Sequence, residues 1–465
     1  MENAFISDGG QYCRYDDLAA YCSAVSTVFE TRRVDPHACV ALYADNTLPA
    51  ALGILSLLAR GTGFALCARG KPVPDFCRYV VHCQRTTGSD AGLLPAALGR
   101  SLTVDENPAW RGTRLDYRGR FYARTSGTTA EAKTAMFTHE KLWANARNCV
   151  ERFQLSAADR VLIPVPVPHM YGLGAAFLPA ILAGAAIEIQ ADSNVLRYLQ
   201  REAEFQPTVV CLTPAFCYAL TRLPQACRRY RLTVAAGDRT PPDTFERYER
   251  AHGCLVSLYG STELGAVAAG SPEDGVVLRR DSVGRPMPGV RIVQSEDGAG
   301  AERCVSELCI EHSAGGEGYA DARGEVDATD DRFAGGRLRS RDVGAVGSDG
   351  YVRVAGRSDH LVKRDGVLVS FGDVECALLK NEHVEEAVVL SDGDTPRGAR
   401  LTAVCVLRSS AADPRTIRED SRMHLPPYAV PDRVVVVRTI PRLDSGKRDR
   451  AAVSRQLADA CEETR

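Results

Sequence analysis

Apolar positions along the chain alternate between helical and strand-like spacing. Residues 18–29 repeat apolar side chains at the spacing of an amphipathic helix. Residues 39–44, Cys-Val-Ala-Leu-Tyr-Ala, are continuously apolar, which predicts a short strand buried on both faces. Asp45-Asn46 then opens a helix predicted to run through Ala59, and Gly61-Thr62-Gly63 ends it before a second apolar strand at 64–67. Strand, helix and strand in this order predict a parallel α/β layer. Residues 71–118 have no regular pattern and predict no defined element. Residues 139–153 again read as a helix. Residues 160–168 read as extended, because Pro164, Pro166 and Pro168 exclude helix. A helix at 177–183 and strands at 186–190, 208–212 and 232–236 continue the alternation. They predict a second doubly wound layer.

Beyond residue 357 the pattern restarts. Segments at 373–375, 387–390, 401–407 and 433–437 alternate as helices and strands. They predict a separate α+β domain of about 110 residues, an ordinary domain size. The division expected is therefore 1–356 and 357–465.

Composition narrows the function. The chain has 465 residues, 45% hydrophobic and 25% charged, the profile of a globular protein with more than one core. A net charge of −2 gives no reason to expect a nucleic-acid partner. The sixteen cysteines contain no C-x-x-C pair and the nine histidines are dispersed, so no structural transition metal is expected. Scattered free thiols and an N-terminus without a signal-peptide pattern predict a reduced, cytoplasmic protein. The apolar run at 48–59 contains Pro49 and is too short to span a bilayer, so no membrane span is expected.

The chemistry-bearing residues lie at predicted strand ends. Tyr122-Ala-Arg-Thr125-Ser126-Gly127-Thr128-Thr129 leads to Lys133 and reads as a strand entering a donor-rich turn. Successive backbone N–H groups in such a turn can cradle an anion, and the lysine adds a mobile charge. It is not a Walker A loop, because Gly-Lys-Ser/Thr is missing. A hydroxyl-rich surface loop would read the same way in isolation. Leu258-Tyr259-Gly260-Ser261-Thr262-Glu263 is a second strand end that turns on glycine, with a hydroxyl and a carboxylate that suit phosphate and Mg²⁺. Gly237-Asp238 follows a third strand, where ligands bind in open α/β sheets.

Together with Arg339-Ser-Arg-Asp342, Gly356-Arg357-Ser-Asp359 and Ser445-Gly446-Lys447, these motifs resemble, in order, those of the adenylate-forming superfamily. That superfamily includes acyl- and aryl-CoA ligases, peptide-synthetase adenylation domains and luciferases. The resemblance covers almost the whole chain. It implies a large N-terminal domain of two doubly wound α/β subdomains plus a small β-barrel, followed by a small mobile C-terminal domain. It implies that Thr125–Thr129 and Lys133 hold ATP phosphates. Tyr259 stacks near adenine, Thr262 meets the α-phosphate, and Gly237, Asp238, Gly260, Ser261 and Arg357 complete the nucleotide site. By the same resemblance Glu263 holds Mg²⁺, Asp342 binds ribose, Asp359 is the hinge, Lys363 and Gly366 serve the thiolation step, and Lys447 is the adenylation lysine. His169, with Tyr171, Gly172 and Gly174, would border the acid. Three positions depart from the usual pattern: Ala130, Ala132 and Arg341, the last in place of a glycine.

The implied reaction joins a carboxylic acid, aryl or short-to-medium acyl, to AMP and then to a thiol, most simply that of CoA. An acyl-AMP ligase loading an acyl carrier protein in trans is the alternative, and a nucleotide-binding protein without ligase activity is a third reading. No acidic residue occurs from Pro164 to Gly174, so an amino-acid ammonium would lack a partner there. Basic and acidic residues match in number from 357 to 465, so no charge funnel separates CoA from a carrier protein.

Overall fold

A computed structural model describes residues 4–84, 93–113, 115–125, 133–191, 194–223, 228–294, 306–408, 413–443 and 448–462. Among the described residues the strands form three sheets of nine, twelve and five strands. The nine-stranded sheet has a parallel centre. Ala186–Ile189, Arg160–Ile163, Val209–Leu212, Tyr230–Ala236 and Gly253–Ser261 lie side by side. Gly265–Ala269 closes back antiparallel on the last of these. In the twelve-stranded sheet, Cys39–Tyr43 is flanked by parallel strands Phe64–Cys67 and Cys77–Cys83. Arg120–Arg124 and Thr134–Thr138 pair as a hairpin around the Thr125–Lys133 loop.

The predicted α/β class is the observed one. The β-rich stretch expected as a small barrel consists of antiparallel strands Val290–Gln294, Ser306–His312, Arg337–Val346 and Val352–Arg357. They connect through Phe333–Ala334 and Gly318–Tyr319 to Thr134–Thr138, and so extend the twelve-stranded sheet. Residues 71–118, which have no legible pattern, supply Cys77–Cys83, Pro95–Ser101 and Leu102–Glu106.

One apolar core joins the two large sheets. It contains Leu42 and Phe64 from one, Val161, Ile163 and Ile187 from the other, and side chains of the helices Leu48–Ala59 and His139–Phe153. Leu48–Ala59 is apolar all round and buried from Leu48 to Leu58, as a helix enclosed on every side must be. It begins at Leu48 rather than at Asp45-Asn46, because the backbone is still extended at the N-cap Thr47, with Pro49 in the first turn where proline is tolerated. His139–Phe153 has the predicted bounds; the Thr138 hydroxyl caps it by accepting from Lys141 N at 3.2 Å.

The five-stranded sheet is built from Leu361 onward and has its own core, including Val369, Val374, Leu378, Val384, Leu401 and Cys405. Arg364 is wholly buried beneath it, where its guanidinium meets Asp432 at 2.8 Å and Val430 O at 3.0 Å. That pairing is what makes a buried cation tolerable.

Candidate active site

Two cavities meet at the carboxyl ends of the parallel strands. One, the polar cavity, has many charged lining residues, is about 2010 Å³ and runs from Thr125 and Lys133 past Tyr259, Glu263 and Asp342 to Arg357. The other is apolar at its inner end, about 1040 Å³, and is lined there by Val165, His169, Tyr171, Ala175, Ala236 and Ala266. Gly237, Asp238, Gly260, Ser261 and Thr262 line both. A molecule in one cavity can therefore touch a molecule in the other at this strand-end junction.

The polar cavity is crossed by charged contacts. Thr125 closes the mouth of its loop, with its N–H and hydroxyl donating to Lys133 O at 2.9 and 3.0 Å. The Lys133 ammonium pairs with the Asp330 carboxylate and lies 4.6 Å from the centre of the Tyr319 ring. Tyr319 donates its phenol proton to Glu263 Oε1 and itself accepts from Arg332. Arg332 stands 3.9 Å from the same Glu263 oxygen. Both contacts fall on Oε1, and none among the described residues engages Oε2. Such a carboxylate fits a site for Mg²⁺, which takes one or two carboxylates and completes its shell with phosphate and water. Tyr259 donates to Asp342 Oδ2 at 2.6 Å. Burial, with the Asp342 carboxylate second, holds the Tyr259 phenol well above its ordinary pKa, so it stays a donor. Arg357 Nε bonds Asp359 Oδ1 at 3.0 Å, and its Nη1 lies 3.9 Å from Asp342. Burial, helped by Arg450, pushes the His360 imidazole down to about 4, so it adds no charge here near neutrality.

Arg341 explains one departure. Its φ is +61°, the left-handed backbone that glycine favours, so the turn keeps a shape suited to glycine with an arginine in place. Its N–H donates to Glu307 Oε1 at 2.9 Å.

In the apolar cavity, Tyr171 lines the wall and its hydroxyl is tied to the strands behind it, its one proton shared between Val234 O at 2.7 Å and Leu212 O at 3.0 Å. Gly172 lines the cavity, but a Cβ there would lie 2.1 Å from Pro166 O, so its role is close backbone approach. Gly174 is not among the lining residues. It sits behind the wall, with Asn145 and Met170 nearest.

The C-terminal sheet reaches the polar cavity through Leu443, Arg448 and Arg450, which flank the 444–447 segment. Arg448 and Arg450 are held by the buried Glu375 carboxylate at 3.1 and 2.6 Å. Arg239 pairs with Asp373 at 2.7 Å, and Arg408 donates to Tyr218 Oη at 2.6 Å, joining the C-terminal part to the strand-end junction. Lys363 and Gly366 are exposed on the Leu361–Ser370 hairpin and line neither cavity. Ser126, Gly127, Thr128, Thr129, Ala130, Ala132 and Lys447 fall outside the described residues.

Sequence reasoning did not single out Asp330, Arg332 or Asn145. Only the fold brings Asp330 to Lys133 and Arg332 to Glu263.

Over residues 122–320 the chain matches the family described as AMP-binding enzyme, and over 373–447 the family described as AMP-binding enzyme C-terminal domain. It is similar to the sulfoacetate–CoA ligase of Cupriavidus necator, 29% identical over 329 residues that cover 70% of this chain and 64% of that ligase. It is similar also to the malonate–CoA ligase of Arabidopsis thaliana, 27% identical over 372 residues, covering 72% of this chain and 60% of that protein. The chain thus spans less than two-thirds of the length of either relative. The crystal structure of ATP-bound MatB from Rhodopseudomonas palustris has the same fold, with a TM-score of 0.81 at 20% identity, covering 98% of this chain and 96% of that one.

Proposed function

The chain belongs to the AMP-binding enzyme family, and from that premise we propose that it activates a carboxylic acid with ATP and passes the acyl group to a thiol, that of CoA. The observation that carries this reading is the junction of the two cavities at Gly237-Asp238 and Gly260–Thr262. An acid carboxylate in the apolar cavity and an α-phosphate in the polar cavity would meet there. The acid oxygen attacks phosphorus, the bond to pyrophosphate breaks, and an acyl-adenylate forms. A thiolate then attacks the acyl carbon and AMP leaves. Positioning and charge stabilisation account for most of such catalysis.

In this reading the 125–129 loop and Lys133 hold the β- and γ-phosphates, which replace Asp330 as the partner of Lys133. Thr262 meets the α-phosphate, the Tyr259 ring packs on adenine, and Asp342 and Arg357 take the ribose. Glu263, oriented by Tyr319, holds Mg²⁺, which when bound offsets phosphate charge. Lys447 bridges the carboxylate and the α-phosphate. Its neighbours Leu443 and Arg448 line the polar cavity, whereas Lys363 and Gly366 do not. This arrangement suits the adenylation step. Thiolation then needs residues 357–465 to turn on 1–356 about Asp359, bringing the hairpin inward. A reducing cytoplasm suits a chain whose described cysteines are all free.

The test is pyrophosphate release with benzoate, 2-aminobenzoate, malonate, butyrate, octanoate and the common amino acids, with and without CoA. The expected result is release with an aryl or short-to-medium acid, acyl-CoA only when CoA is present, and little with α-amino acids. An amino acid as best substrate would overturn the pocket assignment, and silence from every acid would overturn the ligase reading.

A further inference from the structure

The inner wall of the apolar cavity is the segment Ile163–Phe177, and its sequence leaves backbone groups that it cannot satisfy itself. The strand Arg160–Ile163 stops where Pro164, Pro166 and Pro168 remove three successive ladder donors. The segment then enters a π-helical turn, Leu173–Phe177, in which Leu178 N–H bonds Leu173 O five residues back. Gly174 O would next accept from residue 179, which is a proline without an N–H. Its carbonyl is left without a partner on its own helix.

Two buried asparagines supply what is missing. Asn145 is fully buried on the helix His139–Phe153. Its Nδ2 donates to Gly174 O at 2.7 Å, and its Oδ1 accepts from Ala266 N at 2.9 Å. One amide thus ties the π turn to the neighbouring strand Gly265–Ala269, and both elements contribute to the cavity lining through Ala175, Gly265 and Ala266. The approach requires glycine at 265: φ there is +71°, and a Cβ would lie 2.6 Å from Asn145 Oδ1. Asn46, 6% exposed, serves the proline stretch in the same way. Its Nδ2 donates to Val165 O at 2.8 Å and Gln190 O at 3.1 Å, and its Oδ1 accepts from Val167 N at 2.7 Å. Tyr171 adds the tethers to Leu212 and Val234. Neither asparagine lines either cavity.

We propose that Asn145 and Asn46 are positioning residues that hold the acid-binding wall in one shape and so set which carboxylic acids the protein accepts. The inference rests on the ligase reading above. A wall fixed by buried, hydrogen-bonded amides cannot expand without orphaning polar groups. The pocket therefore selects by size, and loosening a tether relaxes the selection without touching the nucleotide side.

The experiment measures pyrophosphate release by wild type, Asn145→Ala, Asn46→Ala and Tyr171→Phe with benzoate, butyrate and octanoate, varying acid and ATP separately. The Asn145→Ala enzyme should raise KM for its best acid about tenfold, the usual cost of leaving buried partners unpaired. Its preference among the three acids should flatten, while KM for ATP stays within about twofold. Tyr171→Phe keeps its ring and loses only the hydroxyl tether, so it should shift the same quantities less and remain folded should the alanine variants fail to fold. Adding Pro179→Ala to Asn145→Ala offers Gly174 O a backbone donor and should restore part of the selectivity. A loss of kcat with acid preference and acid KM unchanged in the folded variants would overturn the proposal. A wild type silent with all the acids would instead remove the ligase reading, and the inference with it.

Discussion

The two cavities that meet at Ser261 and Thr262 are held in opposite ways. On the polar side, side chains hold one another: Lys133 with Asp330, Tyr259 with Asp342, Arg357 with Asp359, Tyr319 with Glu263. Several of these groups are partly exposed, and the Lys133 side chain is 49% exposed. Such pairs contribute little to stability in water and exchange readily for a better partner. On the apolar side, Asn46, Asn145 and Tyr171 hold backbone carbonyls and amides, and both asparagines are buried. Those bonds have no competitor and are costly to lose. A cavity for a charged nucleotide needs contacts that ligand can replace. A cavity that recognises an apolar acid by shape needs contacts that ligand leaves alone.

This contrast predicts that changes on the polar side alter rates of particular steps, whereas changes on the apolar side alter the choice of acid. The largest effect is expected at the pivot. Asp359→Pro breaks the pair with Arg357 and fixes φ, so adenylate should form in a single turnover and thioester should not follow. Normal steady-state turnover to acyl-CoA would show that the pivot lies elsewhere. Lys447→Ala should come next, slowing adenylation by about 10²–10³-fold, like loss of an oxyanion-hole donor. Thioester formation from supplied acyl-adenylate should survive, and equal loss of both half-reactions would contradict the role given to the lysine.

Tyr319→Phe sharpens the comparison further, because it removes only the hydroxyl that orients Glu263. Loss of an outer contact to a metal-binding carboxylate costs about 10–100-fold. The expected signature is a raised Mg²⁺ requirement with an unchanged KM for the acid; a changed acid preference would erase the distinction between the two sides. The smallest effect is one of stability. Arg341→Gly should relieve the left-handed backbone at φ +61° and raise stability by about 1 kcal/mol in denaturant titration. A destabilised variant would mean that side-chain contacts of Arg341 outweigh its backbone strain.

Much of this could be read along the chain. The helix at 139–153 carries its periodicity and its Thr138 cap locally, and the strands at 64–67 and 433–437 are short runs with clear ends. Tyr259, Glu263, Asp342 and Arg357 could be singled out because their motifs are compact and follow a fixed order. Local spacing carries such features, since a helix period, a cap or a glycine turn involves residues only a few positions apart. The strands Cys77–Cys83 and Leu102–Glu106 were not legible, because neighbours distant in sequence make them strands. Asp330 reaches Lys133 across 197 positions and Asn145 reaches Ala266 across 121. The left-handed turn at Arg341, the Gly174 carbonyl held by Asn145 and the buried amide that answers the proline stretch are likewise properties of packing. The chain by itself determined which motifs offer candidate chemistry at the predicted strand ends. Tertiary structure alone decided what restrains them, because a restraint is a partner, and these partners come from remote parts of the chain.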